Sequence, residues 1–171
     1  MRFQSALTIG ATGMLRGALD HICSEANQVL SVSRHTHALP AHARAATLDY
    51  ADPIKFMAAL NEECDLSKID LAVLWMHDNG NKAAMALLEA LSEQPCLIIH
   101  VAGSAAGNPD RQFKKVTSRV PFGPTTNYCP VILGNMPSDE GTRWLTHEEI
   151  SQGAIGAIKT QTPQMVGNRL H

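Results

Sequence analysis

Residues 10–17 of the chain read Gly10-Ala11-Thr12-Gly13-Met14-Leu15-Arg16-Gly17. An apolar run, residues 3–9, precedes them, and a helical pattern follows to about residue 26. A second apolar run then occupies residues 28–33. Strand, glycine turn, helix and strand within about thirty residues predict a βαβ unit.

The glycines of this unit suit a phosphate-bearing ligand. Gly10 permits a tight turn, Gly13 lets the backbone approach a pyrophosphate, and Gly17 allows the helix to pack closely on the sheet. The N-terminus of the helix offers free N–H groups and a partial positive charge. The unit therefore predicts dinucleotide binding, with an ordinary strand-to-helix turn as the alternative. The residues expected to hold the dinucleotide here are Gly10, Thr12, Gly13, Met14 and Leu15.

The remainder of the chain alternates short apolar runs with helical patterns, which is typical of a parallel sheet covered on both faces. Strands are predicted at residues 3–9, 28–33, 46–48, 69–75, 96–101 and 128–133. We expect an α/β fold, a doubly wound parallel sheet of about six strands in a three-layer αβα, Rossmann-like arrangement. One domain is expected over residues 1–160, followed by a frayed polar tail, 161–171. Residues 104–127 show no periodicity and are expected to form a long loop.

Two signals predict helix starts. Asp52-Pro53 combines a capping residue with a proline suited to the first helical position. The residues expected to face the sheet are Ile54, Met57, Ala58 and Leu60. Thr146 and Glu149 have the spacing of a capping box at the start of the last helix.

The second strand ends in Ser33-Arg34, where a site that prefers NAD usually has an acidic residue for the ribose hydroxyls. The Arg34 guanidinium suits a 2′-phosphate instead, and the Ser33 hydroxyl can bond a phosphate oxygen. Arg16, inside the glycine turn, is close enough in sequence to reach the same pocket. These residues favour NADP (NADPH/NADP⁺) over NAD as cofactor, and a solvent-facing arginine is the alternative.

Several segments together resemble the short-chain dehydrogenase/reductase family, over roughly residues 6–159. They are Ile9-Gly10-Ala11-Thr12-Gly13, Ser33-Arg34, Leu48-Asp49-Tyr50, Val101-Ala102-Gly103-Ser104-Ala105 and Arg143-Trp144-Leu145-Thr146-His147-Glu148-Glu149-Ile150. The resemblance implies that Asp49, with Tyr50 beside it, binds the adenine amino group. It places Trp75 and His77 where the family has an Asn-Ala-Gly turn beside the cofactor. Ser104 resembles the catalytic serine that holds the substrate oxygen, with a loop cap as the alternative.

One family motif is absent. Family enzymes carry Tyr-x-x-x-Lys on a helix after the serine, whereas the only tyrosine downstream of Ser104 is Tyr128, and its fourth follower is Ile132. Pro130 also disfavours a helix there. Tyr128 and His77 remain candidate catalytic groups, with Lys114 or Lys115 as substitutes from the loop. Tyr128 as an ordinary strand residue is the alternative.

Composition narrows the class of protein. With 171 residues, 44% hydrophobic residues and a net charge of −2, we expect one globular, cytoplasmic domain that binds neither nucleic acid nor membrane. No apolar run reaches the roughly 20 residues of a membrane span. The four cysteines, Cys23, Cys64, Cys96 and Cys129, form no Cys-x-x-Cys pair, so no metal site is predicted.

Two functions follow as hypotheses. One is an NADP(H)-dependent oxidoreductase that acts on a small carbonyl or alcohol substrate. The other is a non-catalytic NADP(H)-binding sensor or scaffold, because Tyr-x-x-x-Lys is missing. The family resemblance also implies a homodimer or tetramer, formed through the last helix.

Overall fold

The computed structural model describes residues 2–35 and 38–168. Its main sheet is parallel and has seven strands in the order β3-β2-β1-β4-β5-β6-β9, with β7 and β8 forming a separate antiparallel hairpin. The strands are β1 (Phe3–Ile9), β2 (Ala26–Ser33), β3 (Ala43–Thr47), β4 (Leu71–Trp75), β5 (Cys96–Ala102), β6 (Thr126–Leu133), β7 (Met136–Ser138), β8 (Gly141–Arg143) and β9 (Gln164–Val166). The chain moves outward from β1 to β3, then crosses to β4 and moves outward in the other direction. This reversal between β1 and β4 confirms the predicted doubly wound sheet.

Helices cover both faces of the sheet. They are α1 (Arg16–Glu25), α2 (Pro53–Glu63), α3 (Asn81–Ala90), α4 (Pro109–Thr117) and α5 (His147–Thr160). α1 and α5 pack on the face that buries Ala6 and Val73, while α2 and α3 pack on the face that buries Leu7 and Leu74. Adjacent residues of β1 and β4 thus enter opposite cores because side chains alternate along a strand. The three-layer arrangement is as predicted.

Both predicted helix starts are present. The Asp52 carboxylate accepts hydrogen bonds from the backbone N–H groups of Ile54 and Lys55, and Pro53 opens α2. Thr146 and Glu149 form the predicted capping box of α5. The expected inward face of α2 is wrong at Ile54, which is 81% exposed, and at Ala58, which is also exposed. The residues that the helix buries are Phe56 and Leu60.

Two predicted irregular segments contain regular structure. The expected loop over residues 104–127 is wrong, since it contains a short 3₁₀ turn, Ser104–Ala106, and α4, whose first turn is capped by the Asn108 side chain. In the tail, the frayed ending is wrong for residues 164–166, which form β9 beside β6. Residues 169–171 lie outside the described part of the chain. No described helix is long and apolar enough to cross a membrane.

Candidate functional site

Two adjacent cavities lie at the carboxyl edge of the sheet. The turn cavity, about 290 Å³, lies beside the glycine turn and is lined by Gly10, Thr12, Gly13, Met14, Ser33, Arg34, His35, Tyr50, Trp75 and His77. The serine cavity, about 600 Å³, lies beyond β4 and β5; its lining includes His77, His100, Ser104, Gln112, Lys115 and Trp144. Trp75 and His77 line both cavities.

A larger depression, about 1020 Å³, lies instead at the amino edge of the sheet, beside Gln4, Asn27 and Asp70. Doubly wound sheets bind ligands beyond the carboxyl ends of their strands, at the point where the strand order reverses. We therefore place the candidate site in the turn and serine cavities.

The three glycines of the turn differ in their surroundings. Gly10 has φ +74°, and a Cβ there would lie 2.1 Å from the carbonyl oxygen of Trp75. A Cβ on Gly13 would meet nothing within 4 Å, so the space above this residue is open. A Cβ on Gly17 would lie 3.1 Å from the Cβ of Ser151 in α5. The expectation that Gly17 lets the helix approach the sheet is therefore wrong, because its close neighbour is another helix.

The N-terminus of α1 faces the turn without a side-chain cap, although the backbone N–H of Arg16 donates a hydrogen bond of 3.0 Å to the carbonyl of Gly13. Leu15, at the capping position, makes no side-chain hydrogen bond to the helix, and the first turn contains no acidic residue. Leu15 is fully buried and does not line the turn cavity, contrary to expectation. Met14 is held in place because its carbonyl accepts a hydrogen bond of 3.2 Å from the Ser151 hydroxyl. The arrangement offers an anion backbone N–H groups and the positive end of a helix dipole.

Arg34 is exposed at the end of β2 and lines the turn cavity. The neighbouring Ser33 hydroxyl donates a hydrogen bond to the carbonyl of His35. Arg16 does not line this cavity, contrary to expectation, because its guanidinium bonds Asp20 at 3.1 Å and the carbonyl of Ala38 at 3.3 Å.

Asp49 and Tyr50 follow β3 but have different environments. Asp49 is exposed and accepts a hydrogen bond of 2.9 Å from the backbone N–H of Ala51; it does not line the turn cavity. Tyr50 is buried and lines it, and its hydroxyl accepts a hydrogen bond of 3.3 Å from the backbone N–H of His77. Tyr50 therefore positions the segment that follows β4.

Ser104 and His77 lie together in the serine cavity. Ser104 begins the 3₁₀ turn after β5 and is half-buried, whereas His77 is exposed and its ring lies 5.8 Å from the centre of the Trp75 indole. The structure thus brings two of the three predicted catalytic candidates to one cavity.

Tyr128, the third candidate, lies elsewhere. It pairs with Ile98 within the sheet, is 3% exposed, and lines neither cavity. Its ring stacks on Phe122 with centroids 5.0 Å apart, and its hydroxyl hydrogen-bonds His100 Nδ1 at 2.9 Å. Burial raises the pKa of this hydroxyl. The structure does not bring Tyr128 to Ser104, and it supports the alternative of a strand residue.

Sequence reasoning missed two residues of the serine cavity, His100 and Gln112. His100 is the lone polar side chain in the apolar run of β5, which was the available signal. Burial and the Lys115 charge lower its pKa to about 4, so the imidazole is neutral at pH 7. Lys115, considered from sequence as a substitute, does line this cavity, whereas Lys114 does not.

No group of three or more metal-ligating side chains was found within residues 2–35 and 38–168. All four cysteines are free thiols. Burial raises the pKa of Cys96 to about 12 and that of Cys129 to about 11, so both thiols stay protonated at neutral pH.

No family model and no curated protein sequence matches the chain. Among solved structures it is similar to a short-chain dehydrogenase/reductase variant from Serratia marcescens, with 16% identity, a TM-score of 0.64, and coverage of 97% of this chain and 96% of the other. An NADH-dependent reductase complexed with NAD has 13% identity and a TM-score of 0.63, covering 98% and 95%.

A UDP-N-acetylglucosamine 4-epimerase from Methanobrevibacter ruminantium, in complex with UDP-N-acetylmuramic acid, has 11% identity and a TM-score of 0.65, covering 99% of this chain and 77% of the other. At such identities the likeness concerns the fold. The chain therefore has the Rossmann-type fold of short-chain dehydrogenases/reductases, as its sequence motifs indicated.

Proposed function

We propose that the chain binds a nicotinamide dinucleotide across the carboxyl edge of the sheet and acts as an NADP(H)-dependent oxidoreductase on a small carbonyl or alcohol. One observation carries the proposal: the open space above Gly13 lies directly before the N-terminus of α1, which has no side-chain cap. A pyrophosphate in that space would meet backbone N–H groups and the helix dipole with no side chain in the way.

The preference for NADP rests on charge. Arg34 lines the turn cavity, and no carboxylate lines the described part of it. A guanidinium forms strong bidentate hydrogen bonds with phosphate, whereas a ribose 2′-hydroxyl is best bound by an acidic residue. The 2′-phosphate of NADP(H) is therefore the better partner for this cavity.

The reactive end of the dinucleotide would extend past Trp75 and His77 into the serine cavity, since both residues border both cavities. The nicotinamide, when bound, supplies or accepts a hydride. Ser104 would hold the substrate oxygen through its hydroxyl.

A specific observation favours the second candidate, a non-catalytic NADP(H) sensor. Tyr128 is buried away from Ser104, so the tyrosine that protonates the substrate in family enzymes has no counterpart in the serine cavity. A sensor would bind the dinucleotide, and no carbonyl compound would oxidise its bound NADPH.

A thermal-shift titration with NADP⁺, NADPH, NAD⁺ and NADH tests the binding proposal. A hundredfold excess over the dissociation constant stabilises the folded state by about 2.7 kcal/mol. At about 2–4 °C per kcal/mol for a chain of this size, the melting temperature should rise by about 5–11 °C. We expect this rise with the phosphorylated pair, and no rise with any of the four would contradict the proposal.

Two variants test the specificity. Arg34→Ala should weaken NADP⁺ binding at least about tenfold while changing NAD⁺ binding little, because a hydrogen-bonded charge contributes about 1.5–3 kcal/mol. Arg119→Ala, at another exposed arginine outside both cavities, is the matched control. Equal losses for NADP⁺ and NAD⁺ would rule out the role of Arg34. A panel of carbonyl compounds with NADPH then separates enzyme from sensor.

A further inference from the structure

A chain of three polar side chains lies behind the serine cavity. Gln112 of α4 hydrogen-bonds the hydroxyl of Tyr128 in β6, and this hydroxyl in turn bonds Nδ1 of His100 in β5 at 2.9 Å. Gln112 is 6% exposed and Tyr128 is 3% exposed. Only His100 is half-buried, and its ring lines the cavity. Gln112 lines the cavity as well, so both ends of the chain border the cavity while the Tyr128 hydroxyl stays buried between them.

Burial raises the pKa of Tyr128, and the Gln112 side chain opposes this rise, as expected when an amide N–H donates to the phenolic oxygen. Such a donor leaves the Tyr128 proton free to be donated to His100 Nδ1. Gln112 Oε1 is buried and finds no partner among the described residues, which leaves the amide nitrogen as the end that is used.

A neutral imidazole that accepts at Nδ1 carries its proton on Nε2. Tyr128 occupies Nδ1, and no described residue hydrogen-bonds Nε2. Since His100 lines the serine cavity, Nε2–H is the group that it offers there. The Ser104 hydroxyl and the Lys115 ammonium line the same cavity.

We propose that His100 is a ligand-binding residue of the serine cavity, whose Nε2–H donates a hydrogen bond to an oxygen of a small carbonyl-bearing carboxylate, with Lys115 binding its charge. Tyr128 and Gln112 are positioning residues that hold the imidazole in this tautomer. The inference deepens the proposed function by naming a substrate class. It rests on that function only in calling the bound carboxylate a substrate.

The choice of a carboxylate follows from the charges. Lys115 is the charged residue that acts on His100, and two neutral donors lie in the same cavity. Asp78, which also lines the cavity, follows β4 beside His77 and does not affect the His100 pKa. The Lys115 ammonium and the donors in the same cavity together suit an anionic oxygen.

The test uses the full chain with ¹⁵N-labelled histidine, without nucleotide, so that its outcome is independent of dinucleotide binding. The ring nitrogen shifts of His100 report its tautomer. We expect the Nε2–H form, a saturable change of the His100 signals with pyruvate, and binding of the uncharged ketone acetone at least tenfold weaker. Signals of the Nδ1–H form, no response to pyruvate, or equal responses to both ligands would each overturn the proposal.

Two variants locate the interactions. Lys115→Ala should weaken pyruvate binding about five- to tenfold, whereas Lys114→Ala, at the neighbouring exposed lysine outside the cavity, should not. Tyr128→Phe keeps the ring stacked on Phe122 and removes the hydroxyl, so His100 should become a mixture of tautomers. Unchanged tautomer signals in folded Tyr128→Phe would refute the positioning role of Tyr128. If this variant does not fold, the tautomer of His100 in the wild type is the test: the Nε2–H form supports the proposal and the Nδ1–H form overturns it.

Discussion

Replacing Gly10 with alanine should destabilise the fold by about 2–5 kcal/mol. The backbone of Gly10 has φ +74°, a left-handed conformation that costs an L-residue about 1–2 kcal/mol. The new Cβ would also lie 2.1 Å from the Trp75 carbonyl oxygen, which is backbone and cannot rotate away. Forcing an extra carbon into a packed site costs about 1–3 kcal/mol more.

Urea denaturation of Gly10→Ala beside two other glycine variants separates these contributions. Gly141 has φ +121° and open space around it, so Gly141→Ala should show only the conformational cost, about 1–2 kcal/mol. Gly13 has neither a positive φ nor a close neighbour, so the free energy of unfolding of Gly13→Ala should lie within about 0.5 kcal/mol of the wild-type value. A Gly10→Ala variant no less stable than Gly141→Ala would refute the close approach of the glycine turn to β4.

Three further outcomes are expected. Thr146→Ala removes the side chain that caps α5 and should lower the free energy of unfolding by about 1 kcal/mol in urea; an unchanged value would contradict the capping box. Ser104→Ala should lower turnover of any carbonyl substrate found while leaving NADPH affinity unchanged, and full activity would exclude the role of Ser104. The folded-state pKa of His100, about 4, lies below its ordinary 6.5, so the unfolded chain takes up this proton first as pH falls. As the pH falls from 6.5 to 4, the free energy of unfolding of the wild type should therefore fall relative to that of His100→Asn. A difference between the two proteins that stays constant over this range would show that folding does not lower the pKa of His100.

The sheet was predictable because its interior strands are continuous apolar runs, which report burial on both faces directly. β3 and β9 were harder. β9 is an edge strand of only three residues, recognisable only by its pairing with β6. The central strands can therefore be predicted from their own residues, whereas the last edge strand depends on tertiary contacts.

α4 was missed although Asn108-Pro109 repeats the signal of Asp52-Pro53. The helix buries only Gln112 and Val116 among its residues, so it has no apolar stripe to reveal its period. A helix with so few buried residues is therefore not detected by a search for hydrophobic periodicity.

Some features of the candidate site could likewise be predicted from the sequence, and others could not. The glycine turn and Arg34 were predictable because their roles depend on position next to a strand end. The relation of Tyr128 to His100 was not, because it depends on the register of β6 against β5, which sets Tyr128 opposite Ile98 rather than near Ser104. Register is a property of paired strands and cannot be derived from either strand alone.

Calorimetric titration of NADP⁺ into the wild type and into Gly13→Val tests the central claim most directly. The valine side chain enters space that no described atom occupies within 4 Å of the Cβ, so the fold should be retained. We predict one NADP⁺ per chain for the wild type and at least a tenfold loss of affinity for Gly13→Val at an unchanged melting temperature. Absence of binding to the wild type, or equal affinity of the two proteins, would contradict a dinucleotide at the glycine turn.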